Sequence, residues 1–443
     1  MKICSGFLKT KKASVLMTAL MFMGCGIMGS SKPNIVLIII DTLRADHLGC
    51  YGYDRETSPV LDSLAEEGVL FSRCQAQAPW TLPAHATIWT GLTVVSHQAR
   101  RSGTDTHGVD ISLPSIATIL KGEGYVTLGF VNIFLLNGDF GFDNGFDHYS
   151  WYPVGDGRAE ESVSEILQWF DDNRGNPSPK LVVLHLYDVH SPYDPPASFD
   201  SLFSPVGTRG VTDWDALEGG IIHNRQDRDH LVNLYDGEIA WVDSQLGRLF
   251  AGLRERGVTD NSLIIVTSDH GEEFLEHGRI GHGQSLYQEL IHVPLIISGN
   301  DIPAGLIDTI TAGQFDILPT IAGYVGVTLP EGVEGVDLFL PHDPDRPIPS
   351  SGLWPGKCFL NEIEGFETIA SVLSGRMKGI VNFTTGYEIM HDLAKDPLEL
   401  YELPLDTVLL RNIETYWATP PVANPPGVFN EGIEESLEGL GYI

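Results

Sequence analysis

Asp269 and His270 stand together in "SLIIVTSDHG", a carboxylate followed by an imidazole where an apolar run gives way to glycine. Oxygen and nitrogen donors side by side suit zinc or manganese better than calcium or magnesium, which prefer oxygen shells. The plainer alternative is an Asp that caps the next helix beside a surface His. Asp41 ends a second apolar run, "NIVLIIID", where an unpaired carboxylate would be costly. It supplies another acidic ligand or a local cap, the latter a job better suited to Asp46. Thr81 opens "TLPAHATIWTG", with Pro83 in what reads as the first turn of a helix. A hydroxyl there is either a cap or a nucleophile. A bound metal lowers its pKa, and a helix N-terminus stabilises the anion. With Asp41, Asp269 and His270 as ligands, Thr81 Oγ1 is the natural fourth. His190 in "HSPYDPP" and His282 in "GRIGHGQSLYQE" lie in Gly- and Pro-rich segments rather than on core faces. Each imidazole there can bind ester oxygens, protonate a leaving group or hold a second metal. His277 competes with His282 for that place.

These residues need a frame. Four short apolar runs, at Asn34–Asp41, ending near His190, ending at Asp269-His270, and at His292–Gly299, read as buried parallel strands. Helical patterns lie between them. From Leu231 to Leu253, the residues Leu234, Tyr235, Ile239, Val242, Leu246, Leu249 and Leu253 recur on one face. Strand–helix alternation over about 300 residues indicates an α/β fold, a three-layer α/β/α sandwich around a mostly parallel sheet. Asp41, His190 and Asp269-His270 all follow the carboxyl ends of strands, the edge where open α/β sheets bind ligands. A Pro/Gly/Ser-rich connector, "PHDPDRPIPSSGLWPG", separates residues 34–345 from a small α+β C-terminal subdomain at 346–443.

The formal charge of −32 over 443 residues excludes the basic footprint of a nucleic-acid binder. It also means that an anionic substrate needs a metal or a local cation at the site. Residues 1–25 carry Lys2, Lys9, Lys11 and Lys12 before a short apolar run ending in Gly24-Cys25, a signal-peptide pattern too short to span a membrane well. The Cys after Gly resembles a lipoprotein box and favours acylation at Cys25, the plainer alternative being an ordinary cleaved leader. Cleavage there takes the charge to −36, since four lysines and no acids leave. Residues 26–33 would be a linker. Cys50, Cys74 and Cys358 remain, and an odd number permits at most one disulfide.

The run "PNIVLIIIDTLRADHLGCYGYDRETSPVLDSLAEEGVLFSRCQAQAPWTLPAHATIWTG" resembles the start of a sulfatase-family protein of the alkaline phosphatase superfamily. "VTSDHGEEFLEHGRIGHGQSLYQELIHVPLIISG", "FDILPTIAGYVGV", "MHDLAKDPLELYEL" and the final "LGYI" resemble that family too. The departures are specific. Formylglycine-dependent sulfatases present Cys or Ser followed by x-Pro-x-Arg, whereas Thr81 and His85 stand at those two positions. Their Asp-Asp and Asp-Asn metal pairs are here Asp41-Thr42 and Asp269-His270. Their Gly-Lys-Trp-His stretch is replaced by "GYVTLGFVNIFLLNG", in which Asn132 is the polar candidate. The site is similar to that of branches with a metal-bound Thr, above all phosphoethanolamine transferases, which place a His twelve residues after the Asp-His pair.

The resemblance implies a metal-dependent hydrolase of sulfate or phosphate esters. Thr81, His190 and His282 would be catalytic, and His85 and Asn132 would bind the substrate anion. Asp41, Thr81, Asp269 and His270 would hold a divalent metal ion. A phosphodiesterase or phosphoethanolamine-type transferase is the alternative reaction. A catalytically degenerate extracytoplasmic binding protein is the alternative of another class, since His85 and Asn132 replace two expected anion binders. The expected partner is a sulfated or phosphorylated small molecule, glycan or lipid. No nucleic acid is expected, and membrane contact only through an N-terminal lipid anchor. The expected location is the periplasm, free or as a membrane-anchored lipoprotein.

Overall fold

The computed structural model describes residues 32–102, 105–152, 158–203, 225–358 and 361–422. The leader with Cys25, much of the 191–229 excursion and the terminal "LGYI" lie outside the described residues. Among those described, no helix is long and apolar enough to cross a membrane.

The main sheet has eight strands: β1 (Asn34–Ile40), β2 (Val69–Phe71), β3 (Val126–Val131), β4 (His148–Trp151), β5 (Lys180–Leu186), β6 (Ser262–Ser268), β7 (Leu295–Gly299) and β8 (Leu306–Asp308). Their spatial order is β8-β2-β7-β6-β1-β5-β3-β4. Strand β1 lies at the centre and pairs in parallel with β5 and β6. Its continuous apolar sequence follows from burial on both faces. The run at His292–Gly299 corrects the all-parallel expectation, because β7 pairs antiparallel with both β6 and β2. A buried apolar run does not reveal its direction. Here the connection returning from β6 brings β7 back beside its own predecessor, which reverses it.

Seven helices concern the argument: α1 (Pro59–Glu66), α2 (Thr81–Thr90), α3 (Ile116–Gly122), α4 (Ala159–Asp172), α5 (Arg225–Glu255), α6 (Ile317–Val325) and α7 (Thr407–Trp417). Alternation along β1 divides the core. Ile35, Leu37 and Ile39 pack with residues of α2, α3 and α6, such as Ile88, Ile116 and Ile317. Val36, Ile38 and Ile40 pack with α1, α4 and α5. All seven apolar residues read as one face of α5 are buried in this second layer. The result is a sandwich of helices, sheet and helices.

Beyond residue 345, strands Ile348–Cys358, Asn361–Ser374, Met377–Asn382 and Tyr387–Asp392 form an antiparallel sheet. Helix α7 covers it through Leu409, Ile413 and Tyr416. Cys50 and Cys74 are free thiols.

Candidate active site

Register places the two carboxylates. Ile40 of β1 pairs with Ser268 of β6, so the next residues, Asp41 and Asp269, leave adjacent strands side by side. The chain turns sharply after each. Thr42 takes a left-handed φ of 55°, held by its hydroxyl to Val189 O at 3.0 Å. Gly271 follows the Asp-His pair where a Cβ would meet Glu289 O at 2.0 Å, so only glycine fits that close approach. Gln314 secures the strand end by donating to the carbonyls of Ser268, at 2.8 Å, and Asp269, at 2.6 Å.

Thr81 opens α2, and the cap position belongs to Trp80, whose side chain makes no cap bond. Thr81 Oγ1 lies 3.4 Å from His270 Nε2. That nitrogen is 3.3 Å from Asp269 Oδ2 and 3.6 Å from Asp41 Oδ1. Its ring is oriented from behind, Nδ1 lying 2.9 Å from Gly271 O. Asp269 Oδ1 accepts from the backbone N–H groups of His270, at 2.8 Å, and Thr42, at 3.2 Å. Asp269 Oδ2 and Asp41 Oδ1 are buried and have no hydrogen-bond partner. Buried carboxylate oxygens without partners are costly, and a cation between them removes the cost. One donor atom each from Asp41, Asp269 and His270 cluster closely enough to share an ion. Ligands about 2.1 Å from a tetrahedral ion lie roughly 3.4 Å from one another, which is the spacing around His270 Nε2. The residues therefore fit a divalent metal with mixed oxygen and nitrogen ligands.

Electrostatics agree. Burial, then the charges of Asp269 and Glu272, push the Asp41 carboxyl well above its usual range. Burial also raises Asp269 and drives His270 well below the ordinary imidazole value. The two acids thus resist ionising together unless a cation is supplied, while His270 stays neutral with a lone pair to give.

His282 and His190 flank this cluster. The His282 ring lies 4.4 Å from that of His270 and 4.8 Å from that of His190. Its Nδ1 is 3.0 Å from Glu272 Oε1, and Tyr193 donates its hydroxyl to Glu272 Oε2 at 3.0 Å. His190 stacks on Tyr187, and its Nδ1 is 2.5 Å from Ser191 O. Burial pushes both imidazoles down to about 3, helped at His190 by its neighbour His282. The rival His277 is engaged elsewhere, 2.6 Å from Glu289 Oε1 and stacked on Tyr287. His85 turns its Nδ1 to Thr81 O at 2.8 Å and packs against Trp89 and Phe142. Asn132 is buried, its amide donating to Ser162 Oγ at 3.0 Å. Asp46 pairs with Arg44 at 2.8 Å.

Sequence reasoning missed His185, which points from β5 to Asp41 Oδ2 with Nε2 at 3.2 Å. It also missed Glu272 and Gln314. His185 had a signal: a lone imidazole inside "KLVVLHL" must find a polar partner. Gln314 had none, because its role depends on a contact across 45 residues.

Residues 33–327 match the family model described as Sulfatase. The arylsulfatase of Clostridium perfringens is 25% identical, the match covering 84% of this chain and 90% of that protein. The crystal structure of the phosphonate monoester hydrolase of Agrobacterium radiobacter superposes with a TM-score of 0.70 at 21% identity, covering 87% of this chain and 94% of that one. A structure solved in complex with its substrate D-glucosamine-2-N,6-O-disulfate superposes with a TM-score of 0.72 at 18% identity, covering 93% and 98%.

Proposed function

The chain belongs to the sulfatase family, and from that premise we propose that it is a metal-dependent ester hydrolase using Thr81 as nucleophile. The observation that carries this reading is the position of Thr81 Oγ1 at the head of α2. It stands 3.4 Å from His270 Nε2, beside the partnerless oxygens of Asp41 and Asp269. Asp41, Asp269, His270 and Thr81 would hold the ion. When bound, it supplies Lewis-acid polarisation and a hydroxyl ionised near neutral pH.

The remaining steps belong to the chain. Thr81 gives its proton to solvent and attacks sulfur or phosphorus. The new Oγ1 ester bond forms as the bond to the leaving oxygen breaks. That oxygen takes a proton from Nε2 of His282, whose imidazolium form the Glu272 carboxylate at Nδ1 and the charge of the bound substrate anion favour against burial. Water then cleaves the threonyl ester, with His282 receiving its proton. His190 holds an equatorial oxygen of the transferred group.

The substrate is an anionic ester, sulfated or phosphorylated. Family membership favours sulfate. The Thr and the Asp-His pair favour a phosphate or phosphonate ester, and the phosphonate monoester hydrolase fold is consistent with that second reading. The signal-peptide pattern of residues 1–25 supports an extracytoplasmic location. The deciding experiment is turnover of 4-nitrophenyl sulfate, phosphate, phenylphosphonate and bis-phosphate by purified protein, with metal analysis on the same sample. Bound metal with no turnover of any of them would leave a binding protein and remove the hydrolase reading.

A further inference from the structure

The C-terminal subdomain reaches the loop that carries His282 through one buried carboxylate. Glu399 lies in "MHDLAKDPLELYEL" and is 2% exposed. Its Oε1 stands 2.8 Å from Nζ of Lys378, itself fully buried on the strand Met377–Asn382. Its Oε2 accepts from the backbone N–H of Gln288 at 2.6 Å, and its carbonyl oxygen is 3.2 Å from His277 Nε2. Glu399 has a left-handed φ of 54°, a conformation that is strained for a residue with a Cβ and persists where surrounding contacts impose it. The next two amides help impose it, Leu400 and Tyr401 donating to the Asp396 carboxylate at 3.0 and 2.7 Å.

His277 and Gln288 bracket His282, five residues before it and six after. The segment between them is braced from within. Glu273–Phe274 pairs antiparallel with Ile280–Gly281, so His282 leaves the end of a two-stranded ribbon. His277 Nδ1 meets Glu289 Oε1, beside Gln288, at 2.6 Å. Burial lowers the His277 pKa, but the Glu289 carboxylate and the Glu399 carbonyl outweigh it and hold the imidazole above its ordinary value. On the other side Gly271 N donates to Leu290 O at 2.8 Å, which ties the helical turn Gln288–Ile291 to the Asp269-His270 pair. We propose that Glu399 is a positioning residue for His282, its carboxylate and carbonyl fixing both ends of the loop that presents the imidazole to the leaving oxygen. This rests on the general-acid role given to His282 above. Lys378 neutralises the buried carboxylate, whose charge strengthens the bond it accepts from the Gln288 amide.

The test isolates the Gln288 N–H. Gln288 is the first residue of its helical turn and Tyr287 before it is extended, so Gln288→Pro deletes the N–H without opposing the backbone. Gln288→Ala keeps the N–H and loses only the side chain, which pairs with Gln75. A second comparison works from the other partner. Lys378→Met with Glu399→Gln removes the ion pair but keeps an acceptor, whereas Lys378→Met with Glu399→Met removes both. Turnover of phenyl and 4-nitrophenyl esters, as sulfates and as phenylphosphonates, is measured alongside zinc content and circular dichroism. Gln288→Pro and the double variant without an acceptor should lose about 10–100-fold in kcat on phenyl esters and at most about twofold on 4-nitrophenyl esters, with KM and zinc unchanged. Gln288→Ala and the double variant that keeps an acceptor should stay near wild type. Equal losses on both esters, or none, would overturn the inference. His282→Ala tests the reading beneath it. A phenyl-selective loss there without one in Gln288→Pro removes only the role of Glu399; no such loss there removes the general acid as well. Should Gln288→Pro fail to fold, the double variants decide. Should no ester turn over, the ring resonance of His282, identified by its absence in His282→Ala, decides instead. A shift in Gln288→Pro and none in Gln288→Ala supports the positioning role, and no shift in either refutes it.

Discussion

Thr81 Oγ1 faces His270 Nε2 across 3.4 Å, a helix N-terminus meeting the end of the sheet's central layer. The hydroxyl thus belongs to the first helical residue and not to the capping position, which Trp80 occupies. Thr81→Ala should remain folded, losing no more than the roughly 0.5–2 kcal/mol that even a cap would contribute. It should lose at least about 10³-fold in kcat, as expected for removal of a nucleophile. Thr81→Ser should retain measurable turnover. Ester hydrolysis, denaturation midpoint and metal content are to be read on the same preparations; near wild-type rates in the Ala variant would discard the mechanism.

Chelation should destabilise the protein more as pH rises. Without metal, Asp41 and Asp269 have folded-state pKa values above their unfolded ones, so the stability they contribute is present at low pH and lost as pH rises through the raised values. Ion binding requires the same groups deprotonated and strengthens over that range. Scanning calorimetry from pH 5 to 8, with and without chelator, should show the gap in Tm widening with pH. A constant or narrowing gap contradicts the assignment.

Glu272 has a role that a substrate series can expose. Glu272→Gln replaces the carboxylate facing His282 Nδ1 with an amide and disturbs the ring's tautomer. General-acid assistance contributes typically 10²–10⁴-fold, and most to poor leaving groups. Turnover of alkyl esters should therefore fall far more than that of 4-nitrophenyl esters, with metal content unchanged. Equal losses on both would show that Glu272 acts only on stability.

Gly271→Ala should be the most damaging single-atom change near the site. Its Cβ would press on the Glu289 carbonyl, and overpacking of this kind costs typically 1–3 kcal/mol. His270 is displaced with it, so metal affinity should fall together with Tm. Unaltered metal binding would mean that the turn relaxes without moving the imidazole.

Cys25→Ser tests the leader. If Cys25 is acylated, the variant should move from the membrane fraction to the soluble extracytoplasmic fraction. Identical fractionation of both forms favours an ordinary cleaved signal peptide.

Much of this architecture can be read from the chain. The near-continuous apolar runs at β1, β5 and β6 exist because helices cover both sheet faces, and the polar residue that breaks each run marks the ligand edge. Asp41, Asp269 and His270 meet because those ends meet, and Thr81 joins them from the head of α2. The direction of β7 was not legible, since apolar content is blind to strand polarity. His185 was hidden by belonging to a strand rather than its end. Glu272 was overlooked in an acidic stretch where every carboxylate resembles its neighbours until Tyr193 and His282 select one.

The register of β1 against β6 carries a last implication. Parallel neighbours lie about 4.8 Å apart whatever side chains they bear. Because Asp41 and Asp269 are the first residues past paired positions, the gap between their backbones is a constant of the peptide chain. Substitutions elsewhere can tilt a ring or shift α2, but they cannot draw these two acids apart. The candidate centre is thus built on a ruler that mutation does not recalibrate, and variation at it is left to the side chains that approach these two acids, Thr81 and His270 among them.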